Sequence, residues 1–212
     1  MANASDGSFV DDCLGSRGFR TMAGLSEIAG RGNTVLGHSA ILIAAEAEVG
    51  AGNVIYPGVV IEIANGGSIS IGDGNILYPG TFILADAGVV VIGSRNQFGD
   101  GGVSVKANRQ DSRITIGDGG RFVNGPEIIG CTELGNGSQV LGKITVQDCR
   151  LEGGVPYSSP QVERRGAVLK GFGLARGISL ARGQVLQGLG VFDVKSVLSQ
   201  TAFHPKEAKH AS

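Results

Sequence analysis

Four stretches of this 212-residue chain align without a gap: Val49-Gly-Ala-Gly-Asn-Val-Ile-Tyr-Pro-Gly58, Ile71-Gly-Asp-Gly-Asn-Ile-Leu-Tyr-Pro-Gly80, Ile92-Gly-Ser-Arg-Asn-Gln-Phe-Gly-Asp-Gly101 and Ile116-Gly-Asp-Gly-Gly-Arg-Phe-Val-Asn-Gly125. Their starts are 22, 21 and 24 residues apart. From Ile116 an aliphatic or aromatic residue returns every six positions, at Phe122, Ile128, Leu134, Val140 and Val146. A period of six belongs neither to an α-helix nor to simple strand alternation. It suits a short strand followed by a turn. Three such sides close a triangular coil of about 18 residues, with one large apolar side chain per side turned to the axis and each coil hydrogen-bonded to the next at about 4.8 Å.

Composition agrees with this geometry. Glycine accounts for 37 of the 212 residues, against a usual level of roughly 7%, and much of it falls at the corners. Pro57-Gly58 and Pro79-Gly80 place a fixed φ before a residue free to take positive φ, as a type II turn requires; Asp100-Gly101 and Asn124-Gly125 stand at the same place in the later copies. Tryptophan is absent and aromatics are 5%, which suits a narrow aliphatic bore. The 42% hydrophobic content excludes a disordered chain, and the Gly-X-Y period of collagen is missing.

Eighteen basic residues stand against 19 acidic ones, a formal net charge of -1. No global field attracts nucleic acid or an anionic membrane, so neither is expected as a partner. No apolar run approaches the roughly 20 residues of a membrane span. The opening Met1–Cys13 lacks the basic-then-apolar order of a signal peptide, so a cytoplasmic location is expected. Three cysteines are too few for a disulfide framework in a chain of this size. Cys131 and Cys149, 18 residues apart, are expected to stack one coil above the other at outward or corner positions. Adjacent-coil spacing admits a disulfide, and a reducing compartment favours plain packing.

Residues 49–151 resemble the hexapeptide-repeat proteins, a superfamily that includes acyltransferases and the γ-class carbonic anhydrases. The resemblance extends back to about Val35 and forward through Leu174, Leu180 and Leu186, again six apart. The phrases Ile61-Glu-Ile-Ala-Asn-Gly-Gly-Ser-Ile-Ser-Ile71 and Phe82-Ile-Leu-Ala-Asp-Ala-Gly-Val-Val-Val-Ile92 are similar in cadence to the small pointed-end subunits of dynactin, which are not enzymes. The resemblance implies an all-β fold, a left-handed parallel β-helix of about six or seven coils, and a homotrimer. Residues 1–34 are expected to form an N-terminal cap or extension and 35–192 the helix, with a loop insertion at about 152–166. A short C-terminal helix and mobile tail are expected over 193–212. Helical spacing at Val191, Val194, Val197 and Leu198, with Asp193 as cap and Pro205 beyond, supports that element. Leu25–Gly30 could begin the first strand.

The surplus over 18 residues in each interval is expected to protrude along one edge, around Asn65–Gly67, Asp86–Gly88 and Lys106–Ser112, with a longer break at Glu152–Arg165. Loops raised by a rigid scaffold commonly carry function. Among Arg109, Arg113, Arg164 and Arg165, contact with an anionic ligand and pairing with acidic neighbours such as Asp111 and Glu163 are both open.

By resemblance, the leading expectation is an acyltransferase-like protein that transfers an acyl group from coenzyme A to a small hydroxyl or amine acceptor at a subunit boundary. Transferases of this kind use a histidine as general base. Only His38, His204 and His210 are present; the last two lie in the expected flexible tail, leaving His38 as the candidate. Arg164, Arg165, Arg176 and Arg182 are the candidate contacts for the phosphates of coenzyme A. A carbonic anhydrase reading requires three converging zinc-binding histidines, and residues 49–151 contain none. The alternative is a non-catalytic binding or assembly module with a protein partner, which accounts for the missing histidines. Asn53, Asn75 and Asn96, recurring at one repeat position, are expected to hydrogen-bond along the stack, and Tyr56 and Tyr78 to stack on an outer face.

Overall fold

The structure, a computed structural model, describes residues 5–204; Pro205, His210 and the tail expected over 206–212 lie outside the described residues. The chain is mostly β. Two helices, Ser5–Ser16 (α1) and Met22–Gly30 (α2), precede the strands. Leu25 and Ile28 of α2 are buried against the first circuit, so the segment Leu25–Gly30 is helical where the sequence suggested a strand. Thr21 starts α2 by accepting a hydrogen bond from the Gly24 N–H through its side chain.

From Thr34 onward short parallel strands fall in three columns, and up to Gln139–Leu141 each strand in a full circuit pairs with the one three places later. The first side contains Val54–Ile55, Ile76–Leu77, Gln97–Phe98, Arg121–Val123 and Gln139–Leu141. The second runs through Val60–Ala64, Phe82–Asp86, Ser104–Ala107, Glu127–Ile129 and Ile144–Gln147. The third runs through Ser68–Ile71, Val89–Ile92, Arg113–Ile116, Thr132–Leu134 and Arg150–Leu151. The long strand Val168–Arg176 belongs to the first side at Val168–Lys170 and to the second at Gly173–Arg176. This parallel β architecture is compatible with a β-helix-like fold.

The six-residue rhythm is the core. On the first side Ile55, Leu77, Phe98, Phe122, Val140, Leu169 and Leu186 stack in register, all fully buried. Each such side chain contributes about 1.5–3 kcal/mol on burial. Tight corners are set by backbone conformation: Gly58 and Gly80 have φ of 80° and 81°, the positive values that a type II turn needs after proline. Close approach matters at Gly72, where a Cβ would come within 2.9 Å of the Gly93 backbone in the next circuit.

A ladder of amides accompanies the aliphatic stack. Asn33, Asn53, Asn75 and Asn96 are buried, and each side-chain oxygen accepts from the backbone N–H of the next rung. Gly120 closes the ladder by donating its N–H to Asn96 Oδ1 at 2.7 Å. Tyr56 and Tyr78 stack with centroids 4.9 Å apart.

Although Asn108–Asp111 is an exposed turn between strands Ser104–Ala107 and Arg113–Ile116, most of the surplus residues of the middle circuits do not form protruding loops. They lengthen the second- and third-side strands and add inward positions: Ile63 with Ile69, Ala85 with Val90, and Ala107 with Ile114. Because the sequence keeps alternating through the addition, side chains continue to point in and out, and the coil widens. Only the turn tips emerge. Asn65 and Ala87 take the left-handed conformation there, and Asn65 Nδ2 donates to Asp86 Oδ1 at 2.6 Å.

The expected C-terminal helix is also corrected. Gln184–Val191 is a strand, Val194–Ser196 a single 3₁₀ turn, Val197–Ser199 a strand antiparallel to Gln184–Leu186, and Gln200–Phe203 another 3₁₀ turn. Asp193 does cap, accepting from Lys195 N. Phe192 is buried in the core, so the segment is held by its aromatic ring and by sheet pairing instead of an apolar helical stripe. Among the described residues no helix is long and apolar enough to cross a membrane.

Candidate functional site

A cleft of about 420 Å³ lies on the outer surface of the first side, over the later circuits. Its floor follows from strand register. Residues flanking an inward position point outward, so Arg121, Gln139 and Val168 form one outward row and Leu141 and Lys170 the next. One wall is the segment that breaks the repeat, Glu152–Arg165, which contributes Tyr157 and Arg165. Pro156 and Pro160 supply no N–H to a ladder, so this insertion leaves the sheet, and it returns where Val155 bridges Arg165. The other wall is the C-terminal segment, with Gln200, Phe203 and His204. Buried Gln200 fastens it, donating from Nε2 to Gly166 O at 2.7 Å.

The lining is cationic. Arg121, Arg165 and Lys170 all reach it, and among the described residues no aspartate or glutamate does. Each cation is held by something other than an acid. The Lys170 ammonium sits 3.4 Å over the Phe203 ring centroid and the Arg121 guanidinium 5.5 Å over that of Tyr157, contacts in which the ring face attracts positive charge. Arg165 donates from Nε and Nη2 to the Ser159 carbonyl at 2.8 and 2.6 Å. Its Nη1 lies 3.3 Å from His204 Nε2. A guanidinium only donates, so in this contact the imidazole nitrogen is the acceptor. Two groups on the floor have unused capacity: Arg121 Nε is buried without a partner, and Gln139, only 7% exposed, has no side-chain partner among the described residues.

The sequence-selected residues are dispersed. His38 occupies a turn of the first circuit at His38–Ala40, half-buried and outside the cleft. Arg164 is exposed and donates to Gln161 Oε1. Arg176 donates to Gln147 Oε1 on the second side. Arg182 is exposed, its backbone N–H donating to Glu152 Oε2. Of the four arginines only Arg165 lines the cleft. Arg109 pairs with Asp111 at 3.2 Å, both well exposed. His204, assigned by sequence to a flexible tail, is instead at the cleft on the turn after Gln200–Phe203.

Arg121, Gln139 and Lys170 were missed. A signal was present: the outward position before the inward residue is apolar at Val54 and Ile76 and turns polar at Gln97, Arg121 and Gln139.

The cysteines are free and do not stack. The third side is one residue shorter between Val146 and Leu151, so Thr132 stands beside Cys149, donated to by its N–H at 3.4 Å, while Cys131 N donates to Asp148 Oδ1. Cys149 is 2% exposed, and burial pushes its thiol pKa up. Burial and then the neighbouring Arg31 hold the Arg20 pKa down. Among the described residues no group of three or more His, Cys, Asp or Glu is arranged to hold a metal ion.

The chain matches no protein-family model and no curated protein.

Proposed function

We propose that this protein is a left-handed β-helix of the hexapeptide-repeat type that binds a small acidic ligand in the cleft between its first side, the Glu152–Arg165 loop and the C-terminal segment. One observation carries the ligand reading: three cations converge on a cleft that no carboxylate of the described residues lines. Among the described residues none of the three is in an ion pair that an entering anion would have to break, so the charges are preorganised. The fold reading is supported by the three-column strand order and by the six-residue spacing of inward side chains. The homotrimer belongs to the same proposal; exposed Phe172, Leu189 and Val191 are apolar groups that a subunit contact would cover.

The test is thermal unfolding at low ionic strength with phosphate, succinate and acetyl-coenzyme A, each against a neutral analogue. A bound anion at a hundredfold excess over its Kd stabilises by about 2.7 kcal/mol, a rise of several degrees in a chain of this size. Absence of any anion-specific rise at millimolar concentration overturns the reading.

A second reading, acyl transfer from coenzyme A, is favoured by the accepting Nε2 of His204 in the same cleft. There Arg165 Nη1 first gives up its contact with Nε2; the acceptor hydroxyl or amine then gives its proton to the imidazole as it attacks the thioester carbonyl, and the thiolate leaves. Turnover of acetyl-coenzyme A with a panel of sugars and amines, lost in His204→Ala and kept in His38→Ala, supports this version; loss only in His38→Ala returns the chemistry to the first circuit. No turnover leaves a non-catalytic binding module.

A further inference from the structure

Arg121 and Gln139 occupy the same outward row on adjacent rungs, about 4.8 Å apart along the stack. Both have unmet hydrogen-bonding capacity: Arg121 Nε is buried without a partner, and the Gln139 side chain lines the cleft without a hydrogen bond to another described residue, open to whatever enters. Buried polar groups without partners are costly and uncommon. A guanidinium offers donors only, whereas an amide offers a donor and an acceptor side by side. Arg121 is therefore suited to an oxyanion, and Gln139 to a neutral group that can both give and take a hydrogen bond. Arg165 and Lys170 add two further charges to the same space. A monoanion would leave most of that charge unbalanced. The cleft volume of about 420 Å³ lies at the small end of ligand pockets, roughly 300–1,000 Å³.

We infer that the ligand is a small hydroxylated dianion, with an oxyanion held by Arg121 and a hydroxyl next to it held by Gln139; the inference rests on the cleft being an anion site. The second negative charge is met by Arg165 or Lys170. The Tyr157 and Phe203 rings hold Arg121 and Lys170 over their faces in the free protein, so neither cation is tied to an acid among the described residues. A hydroxy-dicarboxylate and a hydroxylated phosphate monoester share this chemistry, and binding assays distinguish them.

The experiment is calorimetric titration of the full chain at low ionic strength with two matched series: lactate, succinate and malate, and propyl phosphate with glycerol 3-phosphate. The expected result is that in whichever series binds, the hydroxylated dianion binds about fivefold more tightly than its unhydroxylated match, the size of one hydrogen bond. If the carboxylates bind, lactate is at least tenfold weaker than malate. Gln139→Met, of similar volume, removes the hydroxyl preference and leaves succinate or propyl phosphate unchanged. Equal affinity within a series for the unaltered protein overturns the inference while leaving the anion site standing, and that comparison needs no variant to fold. Gln139→Met weakening both members alike, with an unchanged melting curve, also overturns it. Failure of every dianion to bind overturns the anion-site reading itself.

Discussion

The middle circuits and the later ones both carry more residues than the six-residue rhythm needs, and they put them to opposite uses. Between Ile61 and Ile116 most of the additional residues keep alternating, stay in the ladder and bury Val90, Ala107 and Ile114 in a wider core, with only short turns such as Asn108–Asp111 outside it. Between Leu151 and Leu169 they contain two prolines and no alternation, leave the sheet and wall a cationic cleft. Insertion length is a poor guide to function in this scaffold. Whether the insertion preserves the in–out pattern decides between core and site.

Breaking the middle circuits should have the largest effect. Asn75 is fully buried, accepts from Asn96 N at 2.9 Å and donates to Asn53 Oδ1 and Gly93 O. Asn75→Leu strands donors and acceptors on two neighbouring rungs, each costing about 1–3 kcal/mol, so denaturant titration should show a loss of about 4 kcal/mol. Ile114→Ala tests the widened core directly. If Ile114 packs as a core residue, its truncation costs about 3 kcal/mol; a loss under 0.5 kcal/mol would return that segment to surface decoration.

The later circuits should respond in the opposite sense. Arg121 brings an unpaired buried Nε to the cleft floor, so Arg121→Met should leave the melting temperature unchanged or raise it. Anion affinity should fall about tenfold in the same protein, near 1.4 kcal/mol. A fall in both would make Arg121 a structural residue. Tyr157→Ala, on the exposed wall, should lower stability by less than 0.5 kcal/mol, checked by the same unfolding curves.

Much of the scaffold was legible because its determinants are local and repeated. Val49, Ile71, Ile92 and Ile116 each carry the same instruction, and the Pro57-Gly58 and Pro79-Gly80 corners read directly as turns. The cleft was not legible for a physical reason. Arg121, Arg165 and Lys170 are scattered along the chain, and they meet only because register stacks Arg121 on Gln139 and Val168 while an insertion folds back. Helical spacing at Val191, Val194, Val197 and Leu198 misled because burial of Phe192 and pairing with Gln184–Leu186 took hold of the segment first. The cysteine register failed by a single residue, the short step from Val146 to Leu151, which no composition or period announces.

That one-residue step sets an effect that shows mainly in the dependence on pH. It turns Cys149 into the core beside Thr132, where its thiol resists ionisation because burial penalises the charged form. In the unfolded chain the thiol is free to ionise near its ordinary pKa, about 8.5. The folded pKa is raised, so the contribution is fully present below the unfolded value and is lost as pH rises through the folded one. Stability should therefore be flat around neutrality with respect to this group and fall as pH rises above the unfolded thiol's ordinary value of about 8.5. Cys149→Ala should flatten that alkaline slope while costing about 1 kcal/mol of packing at pH 7, and Cys131→Ala, at an exposed position on the neighbouring rung, should do neither. Urea midpoints at pH 7, 8.5 and 9.5 separate the two; an unchanged slope in Cys149→Ala would place the alkaline sensitivity elsewhere and remove the asymmetry between two cysteines that the sequence presents as equivalent.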